Sequence, residues 1–252
     1  MKYLSIFIVI GAMVCGPLSH GQATGKMKIM DMIANEQEDI NDYVLDIPVK
    51  ITTPESYAFG ESEGEWTLQI IPAGDSCIVQ CKFGHWQEDS NTHNAVAWVF
   101  DYITFNHVSR TGNVLMCGKL KVMLAAHKVD GVQKKCALIN GEFRKGELYK
   151  GNVWERGDYL SIESGYAKDT VELLSQKVLQ PEFFKGVSKQ RLAILRNSLY
   201  AKYAYIFKKG GEAEAYFKAK GGYYPRHADV AKFFTTIELK NIATIKELES
   251  SH

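Results

Sequence analysis

The chain has 252 residues, 46% of them hydrophobic and 23% charged, with 30 Lys and Arg against 29 Asp and Glu. Those values exclude wholesale disorder, and the length suffices for one large domain or two ordinary ones. With a modest basic excess and no recognisable docking motif, nucleic acid is not an expected partner.

The first stretch, MKYLSIFIVIGAMVCGPLSHGQA, has one cation at Lys2, an apolar run from Tyr3 to Val14, then Gly, Pro and small residues. That is the pattern of a secretory signal peptide over residues 1–23, with small-residue cleavage sites after Gly21 and after Ala23. Cys15 offers a lipoprotein alternative, for which Val14 is a poor preceding residue. No later apolar run approaches the roughly 20 residues of a membrane-spanning helix, so the mature form is expected to lack a transmembrane span. The expected destination is outside the cytoplasm: periplasm, cell surface or medium.

Residues 24–180 read as a β-rich domain. After a polar, acidic opening with EQED at 36–39, VLDIPVKI begins a strand-like alternation. WTLQII, SCIVQCKF, AVAWVFDYITF, NVLMCGKLKVMLA and CALINGEF follow, separated by Pro-Ala-Gly-Asp, Asp-Gly and Asn-Gly turn signals. An antiparallel sheet folded as a sandwich or open barrel is expected. RGD at 156–158 reads as a turn between strands.

Cys77, Cys81, Cys117 and Cys136 remain after the leader, an even number that in an exported chain points to two disulfides. In a strand Cys77 and Cys81 share a face about 13 Å apart, too far to bridge. A two-residue turn at Asp130 and Gly131 sets Cys136 opposite Ala125 and Cys117 opposite position 144. The expected pattern therefore ties each of Cys77 and Cys81 to one of Cys117 and Cys136. A four-cysteine zinc site is the rival, although 117 and 136 lack the close spacing such sites use.

Pro181 marks a boundary, after the short helix or connector DTVELLSQ, and a small three-helix domain is expected over 181–252. From Glu182 onward there are 13 Lys and Arg against 7 Asp and Glu. That basic excess suits an anionic partner. Ser188 is a good N-cap, and Val187 with Leu192 has the spacing of a hydrophobic staple. Leu192, Leu195, Leu199, Tyr203 and Ile206 then share a face, with Gly210 and Gly211 ending the helix. GEAEAYFKAKGG places acids in its first turn and lysines in its last. TTIE at 235–238 is a capping-box signal for a third helix.

Leu195-Arg196-Asn197, Tyr200-Ala201, Tyr205, Phe207, Tyr216-Phe217, Tyr223-Tyr224-Pro225 and Lys240-Asn241-Ile242 occur in an order that resembles the YARHG domain. This module is found at the C-terminus of exported and envelope-associated bacterial proteins, and the likeness covers residues 185–250. The family pattern puts Glu at Ser198, Arg at Lys202, His at Tyr203, Gly at Ala204 and Trp at Tyr223. A copy without that acid and that imidazole implies a module kept for fold or binding rather than catalysis.

Arg196, Lys202, Tyr205, Tyr216, Tyr223, Tyr224 and Arg226 are the candidate binding residues, since rings beside cations stack on sugars and pair with phosphate or carboxylate. No cofactor or metal is called for: His85, His93, His107 and His127 share no ligand spacing. The expected function is non-catalytic binding of an envelope polymer or envelope protein. The alternative is a hydrolase with its active site in the β domain and the helical module as targeting appendage, using carboxylate pairs such as Glu61 with Glu63 or Glu88 with Asp101. A third reading makes the helical module a cap on the β domain.

Overall fold

The computed structural model describes residues 26–88, 95–143, 149–161 and 169–251. The leader, Cys15 and His93 lie outside them. The α+β arrangement holds, with a half-barrel sheet followed by helices. The strands are β1 (Lys28–Asp31), β2 (Glu36–Glu38), β3 (Tyr43–Val44), β4 (Glu55–Phe59), β5 (Trp66–Ala73) and β6 (Ser76–Glu88). β7 (Ala95–Phe105), β8 (Ser109–Thr111), β9 (Val114–Cys117), β10 (Leu120–Val129), β11 (Val132–Gly141) and β12 (Val153–Leu160) complete them. The main path runs β7-β6-β5-β4-β12-β11-β10-β9-β8, with β1 parallel to the start of β12, β2 on β1, and β3 on β10.

The sheet curls because the inward residues of its two arms bury one another. Tyr57, Leu68, Ile70 and Cys81 from β4–β6 share one cluster with Leu115, Val122, Leu124 and Ile139 from β9–β11. Gly157 in β12 makes room for Phe59, whose ring a Cβ there would approach to 2.3 Å. Phe59, Trp66 and Phe83 then stack with centroid spacings of 4.3 and 5.3 Å. On the other face of β10–β12, Ala125, Cys136, Leu138 and Trp154 are covered by Ile29 of β1 and Tyr43 of β3.

The Asp130-Gly131 hairpin has the anticipated register, Ala125 opposite Cys136. Other turn signals meant something else. NVLMCGKLKVMLA is two strands, because Gly118 at φ +62 turns the chain so that Cys117 pairs with Leu120. Asn140-Gly141 ends β11 instead of turning: Gly141 faces Leu120, and a Cβ there would meet the Lys119 carbonyl oxygen at 2.1 Å. Beyond Val44, VLDIPVKI forms no strand, since Pro48 and Pro54 remove donors a ladder needs. Val49 and Ile51 instead pack onto the main core from a loop. Arg156-Gly157-Asp158 lies inside β12, with Arg156 and Gly157 buried.

The expected disulfides do not form. All four cysteines are buried free thiols. Cys77, Cys81 and Cys117 belong to the inner cluster, whereas Cys136 packs on the opposite face with Tyr43 and Trp154, so the sheet itself separates it from the other three. Burial pushes the Cys117 and Cys136 thiols up to about 12, and these groups act as small apolar side chains.

Four helices follow: α1 (Thr170–Gln176), α2 (Lys189–Lys202), α3 (Glu212–Lys220) and α4 (Thr236–Ser251). Ser188 caps α2 by accepting from the Arg191 N–H, and Val187 and Leu192 join the same cluster. Leu192, Leu195, Leu199 and Tyr203 are buried as the periodicity requires. The helix ends at Lys202, however, so Ile206 lies beyond it and is 47% exposed. One more helix is present than expected. Leu174 of α1 and the following Leu179 pack with Leu192, Phe234, Ile242 and Ile245, extending the helical core upstream of residue 181.

Candidate functional site

The capping box at the start of α4 builds the centre of the helical part. Glu238 donates its backbone N–H to Thr235 Oγ1, while its carboxylate accepts from the Thr235 N–H at 2.9 Å. Its side chain is 0% exposed, and such a charge requires partners. Lys202 Nζ supplies one at 2.8 Å, Tyr203 OH another at 2.7 Å, and Ser175 Oγ a third at 2.7 Å. Burial, then the Glu238 charge, holds the Tyr203 phenol well above its usual range.

Lys202 and Tyr203 reach that carboxylate because α2 stops just there. Ala204 has φ +54, its N–H bonds the Ala201 carbonyl, and the Tyr205 N–H bonds the Tyr200 carbonyl. This is a Schellman termination with alanine in the left-handed position where glycine is the usual occupant. The Arg226 and His227 N–H groups then bond the Ala204 carbonyl, folding the segment before them back over the helix end.

Tyr203 also faces the sheet. Gln80 Nε2 of β6 donates to Tyr203 OH at 2.9 Å, and Thr104 Oγ1 of β7 donates to the Phe233 carbonyl at 2.6 Å. Asn106 donates to the Phe234 carbonyl and accepts from the Thr236 N–H. Ile237 seats on Ile71 and Ile78, and Arg226 pairs with Asp101 at 3.0 Å and the Phe100 carbonyl at 2.6 Å. The helical part thus covers one end of the outer face of β5–β7 through a mainly polar seam.

Where the cover stops, a cavity of about 390 Å³ opens. Its floor is Ser56, Thr67, Gln69, Gln80, Lys82 and Tyr102, outward residues of β4–β7 brought into rows by the registers Ser56–Gln69–Gln80 and Thr67–Lys82–Tyr102. Its wall is Asp169, Val171, Glu172, Ser175 and Gln176 of the α1 region with Lys202 of α2. Lys82 and Lys202 put two ammonium groups into it. The Lys82 ammonium sits 3.7 Å from the centroid of the Phe100 ring, and no described carboxylate pairs with it. Burial, then the neighbouring Lys202 charge, lowers its pKa.

This chemistry favours holding over reacting. Ser175 Oγ lies within hydrogen-bonding reach of two acceptors for its one proton, the Glu238 carboxylate at 2.7 Å and the Val171 carbonyl at 3.2 Å, and accepts from Lys202 at 3.2 Å; Glu238 and Lys202 are committed to one ion pair, so neither is placed as its base. The cavity lining otherwise supplies hydroxyls, amides, the two carboxylates of Asp169 and Glu172 and two cations, groups that recognise a polar ligand.

The candidate binding residues separate into two groups. Lys202 lines the cavity, while Tyr224, 42% exposed, and Arg226 line a smaller hollow of about 90 Å³ beside it with Trp98, Phe100 and Lys202. Arg196 instead clamps Glu249 of α4 at 2.9 and 3.1 Å. Tyr205 packs on Tyr200 and Phe207, and Tyr223 lies against Phe207 and Phe217 and donates to the Tyr205 carbonyl. Tyr216 borders a separate groove between α2 and α3. Asn241 is buried, accepting from the Leu179 N–H and donating to the Leu174 and Lys177 carbonyls, so it holds the end of α1. The floor residues Gln69, Gln80, Lys82 and Tyr102 were missed, although the outward alternation of WTLQII, SCIVQCKFGHW and AWVFDYITF carries them.

A second cavity, of about 490 Å³, surrounds Arg156 on the covered side of β10–β12. Arg156 pairs with Asp31 at 2.6 Å and with Glu38, and its Nη1 lies 2.8 Å from His127 Nδ1. Burial raises the Glu38 pKa and lowers that of His127. Of the other histidines, His85 lies 3.7 Å from Asp101. Among the described residues no group of His, Cys, Asp or Glu is arranged to hold a metal ion. No helix among them is long and apolar enough to cross a membrane.

Residues 168–250 match the family model of the YARHG domain, which begins upstream of the 185 expected from the motif order and so takes in α1. No curated protein and no solved structure matches the chain. The sealed Glu238 network, the left-handed end of α2 and the Asn241 anchor on α1 all lie within the C-terminal third of the chain that matches the YARHG domain.

Proposed function

We propose that the protein is an exported, non-catalytic binding protein whose ligand site is the cavity between the half-barrel and the YARHG domain, and that its ligand is a polymer of the bacterial envelope. One observation carries the reading: the cavity is walled by both parts of the chain, and Lys202 reaches into it while the acid that fixes Lys202 is sealed beneath. The leader-like first 23 residues support export. A seam of side chain to backbone hydrogen bonds holds the two walls in register, as a preformed site requires.

Retention of the full mature chain on purified cell walls tests this. Gln69→Trp fills the floor of the cavity and should abolish retention without lowering the melting temperature, while Tyr216→Ala, in the separate groove, should leave it intact. Absence of retention, or retention indifferent to Gln69→Trp, overturns the proposal. A hydrolase centred on the Arg156 cavity is the second reading, favoured by the convergence of Asp31 and Glu38 there. It requires cell-wall hydrolysis that is lost in Glu38→Gln.

A further inference from the structure

The cavity continues along the sheet as a stripe of rings. On the outward face of the β6–β7 pair the registers are Gln80 with Thr104, Lys82 with Tyr102, Gly84 with Phe100, and Trp86 with Trp98. Successive rows on one face are two residues apart, so the four rows span about 20 Å. The first row lies under the YARHG domain, bonded to Tyr203 and Phe233. The next three run outward from the cavity. Trp98 lies over Gly84, where a Cβ would come within 2.5 Å of its ring, so the missing side chain lets the indole settle onto the sheet. Trp98, Phe100 and Lys82 border one hollow of about 130 Å³ with Glu65 and Thr67. Trp98, Phe100, Tyr224 and Arg226 border the next. Lys82 thus lines both the main cavity and the adjoining hollow.

Charge along this track is unevenly met. Arg226 is engaged by Asp101 and Lys202 by Glu238, but among the described residues Lys82 meets the face of Phe100 and no carboxylate. A half-buried ammonium beside a second cation, with an aromatic face as its partner, gains most from an anion that arrives with the ligand. Aromatic faces spaced along a strand pair suit the apolar faces of sugar rings, and the hydroxyl and amide floor suits their hydroxyls. A span of about 20 Å fits a short linear oligosaccharide rather than one sugar.

Resting on the binding reading above, we propose that the ligand is a linear acidic glycan, whose rings lie along Trp98 and Phe100 and whose carboxylate or phosphate is held by Lys82 with Lys202 at the mouth of the cavity. Arg226 positions the Phe100 backbone and is not itself the anion receptor.

The probes are a uronic-acid tetrasaccharide, the same tetrasaccharide with its carboxyls reduced to alcohols, and inorganic phosphate, each titrated calorimetrically into the full mature chain. The acidic sugar should bind about tenfold or more tighter than its neutral counterpart, the worth of one charge-assisted contact. Lys82→Met should remove that preference, read as the ratio of the two sugars' affinities, and Lys82→Arg should retain it. Trp98→Ala should weaken both sugars alike. Melting curves for each variant separate lost binding from lost folding. Equal affinity for the two sugars sinks the anion subsite but leaves the cavity as a glycan site. A preference that survives Lys82→Met overturns the assignment to Lys82. Phosphate as tight as the tetrasaccharide overturns the glycan in favour of a simple anion. If wall retention persists while no probe binds, the acidic glycan fails and the binding reading stands; if retention is also absent, both fail.

Discussion

Two buried ionic clusters organise this molecule, and they are built in opposite senses. In the YARHG domain one carboxylate, Glu238, collects Lys202, Tyr203, Ser175 and the Thr235 N–H, two partners on each of its oxygens. In the half-barrel one guanidinium, Arg156, faces Asp31, Glu38 and Asp158, with neutral His127 turned toward it, and the group opens onto a cavity. The first cluster joins α1, α2 and α4 and hands Tyr203 on to Gln80 of the sheet. The second fastens the N-terminal strands β1 and β2 to β12. The contrast teaches that a saturated cluster acts as a structural rivet, whereas one with surplus carboxylates depends wholly on its single cation.

Removing the hub of each cluster tests this in order of size. Glu238→Ala strands a half-buried ammonium, a phenol, the Ser175 hydroxyl and the Thr235 N–H, and should destabilise the chain by about 4 kcal/mol in denaturant unfolding. A loss under about 1 kcal/mol would mean that the network is not the rivet described. Arg156→Met leaves Asp31 and Glu38 facing one another and should cost about 3 kcal/mol. Proteolysis should then cut first in residues 26–44, with the YARHG domain resistant; cutting there first would contradict the separate roles of the clusters.

A third buried carboxyl calibrates both, because among the described residues no cation pairs with it. Glu155 is 3% exposed, its backbone partner is Gly60, and burial lifts its pKa from 4.5 to about 7. The folded chain therefore keeps a proton that the unfolded chain releases near pH 4.5, so this group's contribution to stability falls as pH rises from there to about 7. Glu155→Gln keeps the acceptor and removes the charge. It should stabilise the protein by about 2 kcal/mol at pH 8 and by almost nothing at pH 4, read from melts at both values. Equal effects at the two pH values would refute the assignment.

The smallest effect concerns the helix end that delivers Lys202 and Tyr203. Ala204→Gly relieves a left-handed alanine and should stabilise by about 1 kcal/mol, visible as a rise in melting temperature. No rise would mean that the Schellman termination is not strained by its side chain.

Legibility in the sequence followed the range of the forces. Ser188, the TTIE capping box, the charges of α3 and the Asp130-Gly131 register were readable because each is fixed within a few residues. The end of α2 was not. Leu195 to Phe207 keeps a helical apolar pattern throughout, and the helix stops at Lys202 because Ala204 turns left-handed and its carbonyl is taken by the returning chain at Arg226. Arg156 looked like part of a turn since its three carboxylates come from β1, β2 and, two residues on, β12 itself, which no local pattern joins. The candidate site was half legible: Lys202, Tyr224 and Arg226 stood out as rings beside cations, but Lys82 and Trp98 stand in strands whose inward residues drew the reading.

By itself the sequence determined the α+β division, most strand and helix starts and the presence of the YARHG motif order, because periodicity, caps and turn residues act over one or two turns of chain. Only the tertiary structure decided which side of the sheet Cys136 would occupy, that Glu238 would be sealed by residues from three segments, and that outward residues of β4–β7 would become the floor of a cavity. Those outcomes depend on the curl of the sheet and the seating of the helices upon it, which arise from burial summed over the whole chain.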